Sequence, residues 1–209
     1  MKRGRFITLE GGEGVGKSTN LEYLRALLVA RGFEVVVTRE PGGVPLAEQL
    51  REFILGHQGL LPEAELLLMF SARVHHVREK IRPALERGQW VISDRFVDAS
   101  YAYQGGGRGI DRSHITCLEQ WLLADCRPDL TLLFDAPVET GLSRARERGE
   151  SNRFEEEAVE FQQRVRQAYL ERWREEPGRI RRIDAALPLP QVQEQITRLL
   201  DEALATWNL

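Results

Sequence analysis

Gly11-Gly12-Glu13-Gly14-Val15-Gly16-Lys17-Ser18 satisfies the pattern GxxxxGK[ST] at every fixed position. Glycines at this spacing let successive backbone N–H groups turn into one concavity, and a helix opening directly after them adds partial positive charge. Within that cradle Lys17 is placed to reach β and γ phosphates and the Ser18 hydroxyl to meet Mg²⁺. Gly11, Gly12, Glu13, Gly14, Val15, Gly16, Lys17, Ser18 and Thr19 are therefore the candidate segment for binding a nucleoside triphosphate. The second metal ligand must be an acid at the end of an apolar strand. Asp94 after Trp90-Val91-Ile92-Ser93 and Asp135 after Leu132-Leu133-Phe134 both qualify. Asp94 is preferred, directly or through water, because Arg95 follows it and puts a cation beside the phosphates; Asp135 serves equally well as a helix cap.

The elements that must carry these residues are legible as apolar runs. Phe6 to Leu9, Val35 to Thr38, Trp90 to Ser93, Leu130 to Phe134 and, more weakly, Ile180 to Ile183 read as strands covered on both faces. Helical stripes lie between them, as at Leu21, Leu24, Leu27 and Leu28 before Gly32, and again from Val192 to Leu204. Five alternations predict an α/β fold, a doubly wound parallel sheet flanked by helices, in one domain spanning residues 1–209. Two segments break the rhythm. Gln104 to Gly109 reads as a flexible, glycine-dense turn, and residues 144–157 are crowded with charge.

Composition narrows the function. Lys plus Arg total 29 against 32 for Asp plus Glu, a net charge of −3, so the basic excess of a protein held to DNA or RNA through phosphates is missing. Cys117 and Cys126 fit neither a CxxC metal pair nor a disulfide scaffold and read as free thiols. The apolar stretch after the basic N-terminus is too short for a signal peptide, and no run of 18 apolar residues occurs. A soluble cytoplasmic protein is expected, with no nucleic-acid and no membrane partner. Asn20, Asn152 and Asn208 are the only asparagines, none followed by Lys, and no Asp has Gly three residues on, so the guanine-reading and switch motifs of common GTPases are missing. His75 and His76 have no ligand partners at metal-binding spacing and read as structural.

Beyond the phosphate loop, the chain resembles the bacterial thymidylate kinases, of the nucleoside monophosphate kinase group, along almost its whole length. The resemblance is carried by Glu13 inside the loop, Thr38-Arg39-Glu40-Pro41-Gly42-Gly43, Asp94-Arg95-Phe96, Tyr103 to Ile110, Arg127-Pro128-Asp129-Leu130-Thr131 and Gly141 to Glu150. It implies a P-loop nucleoside triphosphate hydrolase fold and transfer of the γ-phosphoryl group of ATP to dTMP, giving dTDP and ADP on the way to dTTP. Another deoxynucleotide or small-molecule P-loop kinase is the alternative.

The resemblance also assigns roles. Glu13 meets the sugar 3′-hydroxyl of dTMP; Arg95 and Arg51 hold its phosphate; Arg39 assists or pairs with Glu40; Pro41 aligns with a proline that is cis in relatives. Arg73, Ser100 and Gln104 read thymine, Arg73 at O4 and Gln104 at the amide edge. An aromatic platform belongs one helical turn before Arg73. Met69 occupies the position usually held by Phe, and Phe70 beside it is the preferred platform. Ala99 and Asn152 depart from the common Ser and Asp. Gly14 stands where some members carry an Arg, which places the catalytic cations on a mobile lid, about residues 144–157, among Arg144, Arg146, Arg148 and Arg153. Arg148 and Arg153 are preferred, joining Lys17 and Arg95 as catalytic residues, with Ser18 and Asp94 for the metal. The adenine lies against the turn from Asp184 to Leu189. Relatives are homodimers through helix packing, which makes Leu66 to Val77 a candidate interface.

Overall fold

A computed structural model describes residues 3–147, 154 and 157–209, with Arg146 and Glu147 by backbone alone. Its centre is a parallel sheet of β1 (Phe6–Glu10), β2 (Val35–Arg39), β3 (Trp90–Asp94), β4 (Leu130–Asp135) and β5 (Ile180–Asp184), in the order β2-β3-β1-β4-β5. Each expected strand is present and runs one residue further than its apolar run. That extra residue is Glu10, Arg39, Asp94, Asp135 or Asp184. A polar side chain thus stands at every carboxyl end, where open α/β sheets bind ligands.

Helices cover both faces. α1 (Lys17–Ala30) and, later, the C-terminal Leu189–Thr206 helix take one side. On the other lie α2 (Pro45–Gly56) and α3 (Pro62–His76), which continues through a π-helical turn at Val77–Ile81 into α4 (Arg82–Glu86). The strand pleat explains the division. Ile7 and Leu9 of β1 join Leu24, Leu28, Ile196 and Leu200 in one core, whereas Phe6 turns to the opposite core with Leu66, Phe70, Ile81 and Val91. Between them the buried hydroxyls of Thr8 and Thr131 bond each other at 2.7 Å, so the polar pair in the sheet interior is satisfied.

After β3 come α5 (Val97–Ser100), α6 (Arg112–Leu123), α7 (Val138–Glu147), α8 (Val159–Glu175) and α9 (Leu189–Thr206). The stretch expected to be a flexible turn is instead ordered as a π-helix, Tyr101–Gly107, packed on α8. Its glycines serve close approach: a Cβ on Gly107 would lie 2.5 Å from the Phe161 ring of α8. Cys117 is exposed and Cys126 buried, both free. Among the described residues no helix is long and apolar enough to cross a membrane.

Candidate active site

The carboxyl ends of β1, β2 and β3 open into a cleft of about 590 Å³, whose lining includes Lys17, Ser18, Arg39, Arg51, Arg73, Asp94, Arg95, Ser100 and Gln104. That volume suits a small-molecule site. The loop between β1 and α1 forms one wall. Gly16 caps α1 in the left-handed region at φ 87°, turning the chain so that Lys17 enters the first helical turn. Lys17 Nζ donates to the carbonyls of Gly11 (3.1 Å) and Gly12 (2.7 Å). Burial, with Arg95 adding to it, lowers the Lys17 ammonium to about 8 despite Asp94, Glu13 and Glu10. At position 14 a Cβ would sit 1.8 Å from the Gly141 carbonyl, and φ is 68°. The loop therefore has no room for a side chain at position 14.

Arg95 is the fixed cation of the floor. It adopts φ 71°, a conformation that costs a non-glycine residue on the order of 1–3 kcal/mol. Its surroundings hold it there: Nη2 donates to Glu13 Oε1 (2.7 Å), Nη1 to the Gly11 carbonyl (3.1 Å) and the Tyr169 hydroxyl (3.3 Å), and the guanidinium lies 4.7 Å over the Tyr103 ring. Burial opposes its charge, and the oxygens of Tyr103, Glu13 and Tyr169 more than offset that, so Arg95 stays firmly protonated. Glu13 also accepts from the Tyr103 hydroxyl at 2.7 Å.

The two acids considered for the metal part company here. Asp135 is held by Arg166 (2.7 Å) and Arg182 (2.7 Å), and both of its oxygens are engaged. Asp94 faces the cleft, and its buried Oδ1 has no hydrogen-bond partner among the described residues. An orphaned carboxylate oxygen in the same cleft as the exposed Ser18 makes a hard oxygen donor set of the kind Mg²⁺ takes.

Arg73, Ser100 and Gln104 line the same cleft. Arg73 is 3% exposed; Nε donates to Glu40 (2.6 Å), Nη1 to Ser100 Oγ (3.0 Å) and Nη2 to the Phe96 carbonyl (3.1 Å). Glu40 in turn bonds His76 Nδ1 at 2.9 Å, and His76 Nε2 meets Thr38 Oγ1 at 2.6 Å. His76 is thus fully engaged in positioning Glu40, while His75 pairs with Glu79 on its own helix face. Burial raises the Glu40 carboxyl, but Arg73 and His76 outweigh it and hold the group below its ordinary value. The peptide before Pro41 is cis. Arg51 Nη1 donates to the Pro41 carbonyl at 3.0 Å. Of the two roles open to Arg39, the pair with Glu40 does not form: Arg39 is exposed and bonds Glu48 at 3.0 Å.

Phe70, the preferred base platform, does not line the cleft. Phe70 is 1% exposed, packed with Leu66, Phe96 and Val97 in the core, with Arg73 lying 4.8 Å over its ring. Met69 is the residue on the cleft wall. Successive helix positions differ by about 100°, so Met69, four before Arg73, shares its cleft side and the neighbouring Phe70 turns inward. Phe70 lies under the Arg73 guanidinium, in the core rather than on the cleft wall.

On the far side, Arg144 of α7 donates to the Ala185 carbonyl at 2.8 Å, within the turn after β5. That turn is closed by Asp184 Oδ1 accepting from the Ala186 N–H at 3.0 Å. The Arg146 side chain, Arg148 and Arg153 lie outside the described residues. Phe154 lines the cleft, edge-on to Tyr103 at 5.4 Å.

Several residues of the site escaped the sequence reading. Tyr169 donates to Glu10 at 2.8 Å beneath the loop, and burial, with Asp98 adding to it, raises the Glu10 carboxyl to about 8. Glu10 also accepts from the Phe96 N–H at 2.7 Å, tying β1 to the turn after β3. Its place at the end of a buried strand was a visible signal; for Tyr169 on α8 there was none.

The thymidylate kinase family model matches residues 9–196. A thymidylate kinase of Methylococcus capsulatus is 58% identical over 205 residues, covering 98% of this chain and 99% of its own. One from Pseudomonas syringae pv. tomato is 56% identical over 203 residues, covering 96% and 97%. The crystal structure of thymidylate kinase from Ehrlichia chaffeensis matches with a TM-score of 0.78 at 32% identity, over 95% of this chain and 99% of that one. With the phosphate loop, the Asp94-Arg95 pair and the Arg73-Ser100-Gln104 wall meeting in one cleft, the chain belongs to the thymidylate kinase family.

Proposed function

We propose that this chain, acting as one domain, transfers the γ-phosphoryl group of ATP to dTMP, giving dTDP and ADP. The observation that carries the reading is that the glycine-rich loop with Lys17 and Ser18 and the polar groups Arg73, Ser100 and Gln104 line one cleft. The loop from Gly11 to Thr19 binds the triphosphate through backbone N–H groups, and Lys17 exchanges its loop carbonyls for phosphate oxygens. Arg95 and Arg51 hold the dTMP phosphate in line, with Arg39 at the rim, while Glu13 meets the sugar hydroxyl. Met69 packs against the base as a soft, polarisable surface.

In the transfer, an oxygen of the dTMP phosphate forms a bond to the γ phosphorus as the bond to the β-γ bridging oxygen breaks, and that oxygen leaves on ADP. A phosphomonoester has its second pKa at about 6, so the attacking oxygen is already ionised at pH 7 and no strong general base is required. Positioning and neutralisation of the spreading charge do the catalysis, by Lys17, Arg95 and the lid cations, for which Arg148 and Arg153 are our choices. Ser18 and Asp94 would hold Mg²⁺, which when bound neutralises charge on the β and γ phosphates. To the charged segment of residues 144–157, part of which lies outside the described residues, we assign the exclusion of water, which protects ATP from hydrolysis. We place the protein in the cytoplasm as a homodimer joined through α3 and its neighbours.

A coupled assay for ADP tests the reading with dTMP, dUMP, dCMP and thymidine as acceptors. Fastest turnover at low concentration is expected with dTMP; preference for another acceptor would transfer the assignment to a different deoxynucleotide or small-molecule kinase.

A further inference from the structure

We propose that Glu65 is a positioning residue for pyrimidine selectivity: it fixes the orientation of the Gln104 side-chain amide so that the site accepts a 4-oxo, N3–H base edge and rejects a 4-amino one. This rests on the reading of Gln104 as a base contact and goes beyond it. Glu65 lies in the first turns of α3, fully buried, and its Oε1 accepts from Gln104 Nε2 at 2.8 Å. Arg108 completes an ion pair with Glu65 at 3.4 Å. Glu65 Oε1 is the acceptor in that bond, which turns the amide NH₂ toward Glu65 and the amide oxygen away from it. A glutamine amide has nearly the same shape in both orientations, and only its partners choose between them.

The consequence appears in the cleft. With its nitrogen committed, Gln104 has its Oε1, which makes no hydrogen bond among the described residues, left to accept from a ligand. Arg73, whose three nitrogens each already hold one acceptor, retains N–H donors on the same wall. The wall thus offers a donor beside an acceptor. A base edge with a ring N–H and a neighbouring carbonyl matches both. A base with an amino group and an unprotonated ring nitrogen reverses both, leaving two buried polar groups facing like partners. Selectivity against the amino base is therefore set one residue behind the contact.

The test is Glu65→Gln, which can either accept from or donate to Gln104 and so releases its orientation. On one preparation, the dTMP dissociation constant is measured by calorimetry and that of dCMP by displacement, since their ratio is insensitive to the active fraction. The ratio favouring dTMP should fall about tenfold. The dTMP KM should rise while kcat at saturation and the ATP KM stay within about twofold, a split that general loss of structure does not produce. On a Gln104→Ala background, Glu65→Gln should cause no further fall, because its action passes through that amide. Should Glu65→Gln not fold, Glu65→Asp withdraws the same acceptor by one methylene and should lower the ratio in the same direction. An unchanged ratio in the folded variant, or a further full loss on the Gln104→Ala background, overturns the role of Glu65. If Gln104→Ala by itself leaves the ratio unchanged, Gln104 does not read the base and the proposal falls with that reading.

Discussion

The carboxylate of Glu13 and the guanidinium of Arg95 meet at 2.7 Å across the floor of the cleft, joining the phosphate loop to the end of β3. The pair keeps an acid among the groups proposed to bind phosphate without net repulsion. Replacing Glu13 by Gln keeps a hydrogen-bond acceptor for Tyr103 but removes the charge. The dTMP KM should rise about tenfold, the scale of a charge-assisted hydrogen bond, with the ATP KM little changed. Steady-state kinetics with each substrate varied in turn check this.

Gly107 is one of two glycines, with Gly106, at which the π-helix approaches α8. An Ala there would bring its Cβ 2.5 Å from Phe161, whose ring in turn underlies Arg108 at 4.7 Å. Overpacking of this kind costs about 1–3 kcal/mol, so Gly107→Ala should lower the denaturation midpoint in urea. Gly178, which has open space around it, gives the matched control: Gly178→Ala should leave the midpoint close to that of the parent protein.

Asp98 and Glu40 set the response to acid. Burial raises each carboxyl, but Arg179 and Arg172 around Asp98, and Arg73 and His76 around Glu40, outweigh it and hold both below their ordinary values of 3.8 and 4.5. Both groups therefore stabilise the fold above those values, and the contribution is lost as pH falls through the depressed ones. Melting temperature followed from pH 7 to pH 3 should drop steeply below about pH 4. Asp98→Ala leaves Arg172 and Arg179 short of a buried partner and should cost about 3 kcal/mol at pH 7. In that variant the acid-dependent drop should be shallower.

Much of this architecture can be read from the chain because it depends on local patterns. Phe6 to Leu9 and Leu130 to Phe134 are apolar throughout since helices cover both sheet faces, and the phosphate loop needs glycines at fixed spacing wherever it occurs. The preference for Asp94 over Asp135 also rested on a neighbour, Arg95. What the sequence hid depends on distant partners. Gln104 to Gly109 looked flexible because glycine permits both looseness and close packing, and only α8, some sixty residues on, decides between them. Phe70 and Met69 both lie about one helical turn from Arg73, and the direction of the cleft separates them. The links Glu65–Gln104, Tyr169–Glu10 and Arg39–Glu48 follow from folding, since an acid or a tyrosine carries no mark of its partner.

The central claim is that one cleft moves a phosphoryl group between two nucleotides. It is met most directly by quenching a reaction of the wild-type protein with ATP, Mg²⁺ and dTMP and counting products by chromatography, beside Lys17→Ala. The account predicts dTDP and ADP in equal amounts from the wild type, little ADP when dTMP is omitted, and a rate lower by about 10²-fold or more in the variant. ADP accumulating without dTDP, or a Lys17→Ala rate equal to the wild type, would contradict it.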